Sequence, residues 1–159
     1  WLGIAFAHLG EGDRAKEVFD RINPVMHAGS RSEAMRYLTE PYVLAADIAG
    51  SAPHVGRGGW SWYTGAAAWS WRLAVEHILG LQLAEGAMRI SPCLPKAWRG
   101  FEARIAHPGG ALLIRVEDPD GLGSGCVTIT VDGELQSGET VAFPADGTTR
   151  QVQVRIHRR

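Results

Sequence analysis

The apolar pattern of this chain changes period once, at Gly80, and that switch restricts the folds open to it. Before Gly80 apolar residues recur every three or four positions; after it they alternate. A helix gathers i, i+3 and i+4 on one face, whereas a strand sends successive side chains to opposite faces. The chain therefore reads as α then β, helices over residues 1–80 and an antiparallel β region over 81–159. It does not read as an interleaved βαβ array.

Four helices are expected in the first part. Leu2, Ala5, Phe6 and Leu9 share one face, with Gly10 as a left-handed stop. Ala15, Val18, Phe19 and Ile22 share another, ended by Pro24, so the two make a short-loop antiparallel pair. Ser30 followed by Glu33 is a capping box opening "SRSEAMRYL". Pro41 interrupts it, and "YVLAADIAG" reads as a continuation or a new helix. "GAAAWSWRLAVEHILG" is the fourth, with Trp69 and Trp71 on nearly opposite sides and core packing expected of both. In the second part, hairpins are expected at Glu85-Gly86, at Pro108-Gly109-Gly110 and at Asp132-Gly133. "RQVQVRI" alternates throughout, setting Val152, Val154 and Ile156 against Gln151, Gln153 and Arg155.

Composition narrows the function classes. Of 159 residues, 45% are hydrophobic and 21% charged, as in soluble globular chains, and the net charge of −1 favours neither nucleic acid nor an anionic membrane. No apolar run reaches a membrane span's length of roughly 18 residues. Cys93 and Cys126 stand outside any CxxC or Cys/His cluster and read as reduced, buried thiols. His8, His27, His54 and His77 have no metal-ligand spacing. The chain opens with a tryptophan inside an apolar helix, which reads as a piece of a larger protein.

One stretch concentrates chemical potential: "GRGGWSWYTGAAAW", Gly56 to Trp69. Thr64 stands at an N-cap position and Gly65 begins a helical run, so free main-chain N–H groups and the helix dipole favour an anion there. The glycines permit close approach of a ligand, and Arg57 among them can meet an anion or a carboxylate. Trp60, Trp62 and Tyr63 offer flat faces suited to sugar rings. The same residues also fit a glycine-rich turn leading into a tryptophan-packed helix. Upstream, Glu40 precedes Pro41 and is biased out of helical geometry, where a carboxylate can face a cavity. Asp47 would share its face if the segment were helical.

"TEPYVLAADIAG", "HVGRGGWSWYTGAAAWSWRLAVEHILGLQ" and "MRISPCLPKAWRGFEARI", in that order, resemble the C-terminal stretch of glycoside hydrolase family 94. This is the family of cellobiose and chitobiose phosphorylases and of the C-terminal domain of cyclic β-1,2-glucan synthetases. The resemblance covers about residues 1–118, and "LAAD" with "GRGGWSWYTG" is most similar to the synthetase branch. It implies the last helices of an (α/α)6 barrel over residues 1–80, truncated at the N-terminus, and a jelly-roll-like β-sandwich over 81–159. It also implies inverting phosphorolysis of β-glucans or β-linked disaccharides, with inorganic phosphate as co-substrate and neither metal nor other cofactor.

Carried over by motif, Thr64 and Gly65 fall on the family's Thr-Gly phosphate contact. Glu40 falls on its "EPY" glutamate near the sugar, and Trp60, Trp62 and Arg57 are further wall candidates. The family's general-acid aspartate and phosphate-contacting arginine lie upstream of these motifs, and its phosphate-contacting histidine just before the first helix. His8 and Asp13 do not take those roles. The expected partners are glucan, phosphate and the remainder of the barrel, with a homodimer admitted and nucleic acid excluded. The expected location is a cytoplasmic soluble domain whose parent is anchored at the inner membrane. Half a barrel standing alone would expose a broad apolar face. Two other readings fit parts of the chain. One is a non-catalytic sugar-binding module; the other is a tetratricopeptide-like helical module, which would need at least about three stacked units although no second copy follows.

Overall fold

The computed structural model describes residues 1–62 and 65–158. Five helices come first: α1 (Leu2–His8), α2 (Gly12–Ile22), α3 (Pro24–His27), α4 (Arg31–Tyr37) and α5 (Ala66–Arg72). Two short strands, β1 (Asp47–Ile48) and β2 (Gly58–Gly59), pair antiparallel between α4 and α5. Eight strands follow: β3 (Leu81–Ala84), β4 (Ala87–Ile90), β5 (Gly100–His107), β6 (Gly110–Glu117), β7 (Cys126–Val131), β8 (Glu134–Gln136), β9 (Thr140–Ala142) and β10 (Thr149–His157).

Local chemistry explains the helix ends. The Glu11 N–H reaches Phe6 O and the Gly10 N–H reaches Ala7 O, a Schellman closure with Gly10 at φ +77°. Asn23 Oδ1 accepts the Val25 N–H and starts α3 at Pro24, so the proline that ends α2 also opens the next turn. Ser30 Oγ accepts the Glu33 N–H, the N-cap half of the expected capping box, and its hydroxyl donates to Glu33 Oε2. Leu38, left-handed at φ 55°, ends α4.

The helix expected over "YVLAADIAG" does not form. Pro41 stands in a turn closed by the Val43 N–H on Glu40 O, and Asp47–Ile48 is a strand. Tyr37, fully buried, organises this loop: its hydroxyl donates to Val43 O and accepts the Ala45 N–H. Glu40 and Asp47 therefore share no helical face, because proline removed the donor a helix needs and a buried hydroxyl satisfied the loop instead.

The last helix departs from α geometry. After α5 the chain continues as a π-helix over Leu73–Ile78, closed by the Leu79 N–H on Ala74 O. Such turns are rare, and this one has a packing consequence. Leu73 and Ile78 pack with Ala15, Ile4, Phe6, Ala7 and Phe19, whereas Val75 and Leu79 pack against the sheets. One helix end thereby serves two apolar clusters. Of the two tryptophans expected in the core, Trp69 is half-buried against Trp1, with ring centroids 4.4 Å apart, but Trp71 is 57% exposed.

The strands form a three-stranded sheet ordered β3-β4-β9 and a five-stranded sheet ordered β5-β6-β10-β7-β8. Their inner residues, among them Leu81, Met88, Ile90, Leu112, Ile114, Val116, Ile129, Val152, Val154 and Ile156, make one buried cluster between the sheets. Pairing is antiparallel except where β10 lies beside β6, which runs parallel; the wholly antiparallel expectation is corrected there. The final strand enters this sheet between β6 and β7, which run in opposite directions, so it is parallel to one neighbour and antiparallel to the other. The turns at Glu85-Gly86 and Asp132-Gly133 have positive φ at both residues, as two-residue hairpins require. Cys93 is buried and Cys126 is exposed, so only one of the expected buried thiols is buried. Burial, aided by Glu11 and Asp13, pushes the Cys93 thiol up to about 11. Among the described residues no helix is long and apolar enough to cross a membrane.

Candidate functional site

The stretch that concentrates chemical potential is held in place from below. The Ala46 N–H donates to Trp60 O, and the Ala49 N–H donates to Arg57 O, framing the β1–β2 pair. Gly58 lies flat on Tyr37: a Cβ there would sit 2.9 Å from the tyrosine ring and 3.0 Å from Thr39. A glycine is needed at that point for contact, not for an unusual φ.

Above this base the chain lifts its rings into solvent. Trp60 and Trp62 both adopt left-handed φ, 48° and 64°, and are 70% and 76% exposed. Left-handed geometry is uncommon for a bulky residue and persists where the surroundings impose it. One such constraint is Glu40. Its Oε1 accepts the Trp62 indole N–H at 3.0 Å and its Oε2 accepts the Ser61 hydroxyl at 3.2 Å. Its own main-chain N–H first, then the Trp62 indole and Ser61, hold the carboxyl below the usual carboxylate range.

Of the residues singled out in the sequence, Glu40 and Trp62 are thus in direct contact, and Trp60 is on the same loop. Arg57 is exposed, with its carbonyl engaged by Ala49. Thr64 and Tyr63 lie outside the described residues. Gly65 occupies the N-cap of α5, one position later than the threonine expected there, with helical residues starting at Ala66. A Cβ on Gly65 would meet Trp69 Cδ1 at 4.0 Å, an ordinary van der Waals contact. Ser61 was missed from sequence alone, although a polar residue between two tryptophans was a usable signal. Tyr37 was missed because nothing in a helix-ending tyrosine announces a loop built on its hydroxyl.

A second group of titratable side chains stands where helices meet sheets. A hollow of about 190 Å³ is lined by His8, Glu76, His77, Arg89, Ser91 and Ser124 among others. The His8 and His77 rings meet edge to face at 5.1 Å. Desolvation, then the charge of His8, then Arg72 push the His77 imidazole down, while Glu76 pulls it up. The folded state therefore prefers neutral His77. Its stability should be complete above pH ~6.5 and fall as pH drops from there through the lowered folded value. Urea midpoints at pH 7.5 and pH 5 should differ less in His77→Gln than in the parent chain; an unchanged difference would exclude His77 as a contributor. Among the described residues no group of three or more His, Cys, Asp or Glu is placed to hold a metal ion.

Known proteins resemble the chain along most of its length. The model of the glycosyl hydrolase 94 superfamily, catalytic domain, matches residues 1–80. The chain is 40% identical over 129 residues to the cyclic beta-(1,2)-glucan synthase NdvB of Rhizobium meliloti (strain 1021), covering 81% of this chain and 5% of that protein. It is 34% identical over 155 residues to the N,N'-diacetylchitobiose phosphorylase of Vibrio furnissii, covering 97% of this chain and 19% of that protein. It is 27% identical over 158 residues to the solabiose phosphorylase of Paenibacillus borealis, covering 95% and 19%. The chain thus spans a fifth or less of the length of these relatives. The matched segment holds α1 to α5 together with Glu40, Ser61 and Trp62, and by that match the chain belongs to the glycosyl hydrolase 94 superfamily.

Proposed function

We propose that this chain is the C-terminal part of an enzyme that cleaves or transfers β-linked glucosyl units by inverting phosphorolysis, of the cyclic β-1,2-glucan synthase type. The observation that carries it is the joining of Glu40 to the aromatic loop immediately before the start of α5. A sugar-stacking surface and a helix start then adjoin, as a phosphate attacking an anomeric carbon requires. In this reading Thr64 and Gly65 hold the phosphate, while Glu40, Trp60, Trp62 and Arg57 border the glucosyl unit. No cofactor is needed, since phosphate takes the place of an attacking water and requires no general base.

The general acid belongs to an upstream part of the parent, so the chain by itself is inactive. Residues 1–80 are the last helices of an (α/α)6 barrel and residues 81–159 a separate β domain. Exposed Trp1, Leu2, Leu9, Met35 and Trp71 support this, because further barrel helices would cover them. The tetratricopeptide-like reading is less favoured: α3 has four residues, and β1 and β2 stand between α4 and α5.

The test is made in the full-length protein, assayed with a β-1,2-linked glucan and inorganic phosphate. Thr64→Val removes one hydroxyl and should raise the KM for phosphate about tenfold, a charge-assisted hydrogen bond's worth, with the KM for glucan changing much less. Equal changes in both constants would remove Thr64 from the anion site.

A further inference from the structure

We propose that Glu40 is a positioning residue: with Ser61 it fixes the indole of Trp62 as a stacking face, and it acts on a glucosyl unit only through that ring. This rests on the glucosyl-site reading above and changes the part Glu40 plays in it.

The geometry is a pincer. Two adjacent residues of the loop each engage a different carboxylate oxygen, Ser61 on Oε2 and Trp62 on Oε1. A solvated glutamate at a helix end has no reason to be closed from both sides by one loop. Its footing is firm, because the turn at Pro41 is closed by Val43 on Glu40 O and the following residues hang on the buried Tyr37 hydroxyl. The ring it holds is not held by burial. Trp62 keeps 76% of its surface open and sits at φ 64°, a geometry disfavoured by about 1–2 kcal/mol for an L residue. An exposed aromatic ring in a strained backbone, restrained through its one polar edge, leaves its faces available for stacking. The carboxylate is held below its usual range, so it is charged at neutral pH and makes the stronger, charge-assisted kind of hydrogen bond.

The experiment has two readouts. In this chain, solvent exchange of the Trp62 indole N–H is followed by NMR, the resonance being assigned by its loss in Trp62→Phe. In the full-length protein, KM is measured for a β-1,2-linked glucose disaccharide and for inorganic phosphate in Glu40→Ala, Trp62→Phe and the double variant. Glu40→Ala should speed indole exchange and raise the disaccharide KM about five- to tenfold, the loss of a hydrogen bond to a charged group. The phosphate KM should stay within about twofold, and the double variant should be no worse than either single one. Glu40→Gln retains a carbonyl acceptor and should recover most of both effects.

If the two substitutions multiply in the double variant, Glu40 touches the sugar directly and the positioning role is overturned. Indole exchange unaltered by Glu40→Ala would show that no latch exists. Should the indole be freed while the disaccharide KM stays the same in all variants, the latch would stand and the glucosyl-site reading would fall.

Discussion

Gly80→Ala is expected to destabilise the chain by roughly 2–5 kcal/mol, a large share of the stability of an ordinary domain. Two costs add. Gly80 has φ +70°, which an L side chain rarely adopts. A Cβ there would lie 2.1 Å from Ser91 O and 2.2 Å from Ser91 C, both main-chain atoms that cannot rotate away. The Ser91 N–H donates to Gly80 O, so relieving the clash means parting β3 from β4 at the Leu81–Ile90 pair. Both of those side chains are buried in the inter-sheet cluster. Gly86→Ala is the matched control: φ is +76°, but nothing lies within 4 Å of its Cβ, so only the conformational cost applies, about 1 kcal/mol. Equal urea midpoints for the two variants would show that packing against Ser91 contributes nothing.

Asp118→Ala should cost about 2–4 kcal/mol, since hydrogen bonds to a buried charged group are worth more than neutral ones. Asp118 is the one fully buried charged residue among those described. Its Oδ1 accepts the Leu122 N–H at 2.9 Å and its Oδ2 the Gly123 N–H at 2.7 Å. Gly123 O in turn accepts the Leu94 N–H at 2.7 Å, and Leu94 is fully buried in the core. The carboxylate therefore shapes the β6–β7 connection and, through it, the segment that docks on the helices. Alanine would leave two inward N–H groups without an acceptor. Asp118→Asn keeps one oxygen and points an NH₂ at the other N–H, so it should fall between alanine and the parent. An asparagine variant melting with the parent would refute the role of the paired acceptors.

The fold was legible to unequal degrees. Hairpins at Glu85-Gly86 and Asp132-Gly133 could be read because left-handed turn residues have few other uses. The serine N-cap at Ser30 and the stop at Gly10 are short-range hydrogen-bond patterns, complete within a few residues. Residues 42–50 were misread because their apolar spacing fits a helix, and the competing loop depends on Tyr37, whose hydroxyl partners cannot be seen locally. The exposure of Trp71 and of Cys126 likewise follows from what else packs nearby. Of the candidate site, the aromatic loop and Glu40 were separately legible, as was the family they resemble.

What the sequence determined by itself is whatever closes within one turn or repeats with one period: the helix-to-strand switch at Gly80, the caps, the hairpins and the inward row of Val152, Val154 and Ile156. What only the tertiary structure decided joins residues far apart in the chain. It set β10 parallel to β6, divided the π-helical turn between two cores, and closed Glu40 on Ser61 and Trp62. The reason is physical: local propensities act through a few neighbouring dihedrals, whereas sheet order and side-chain latches depend on which distant surfaces bury each other most favourably.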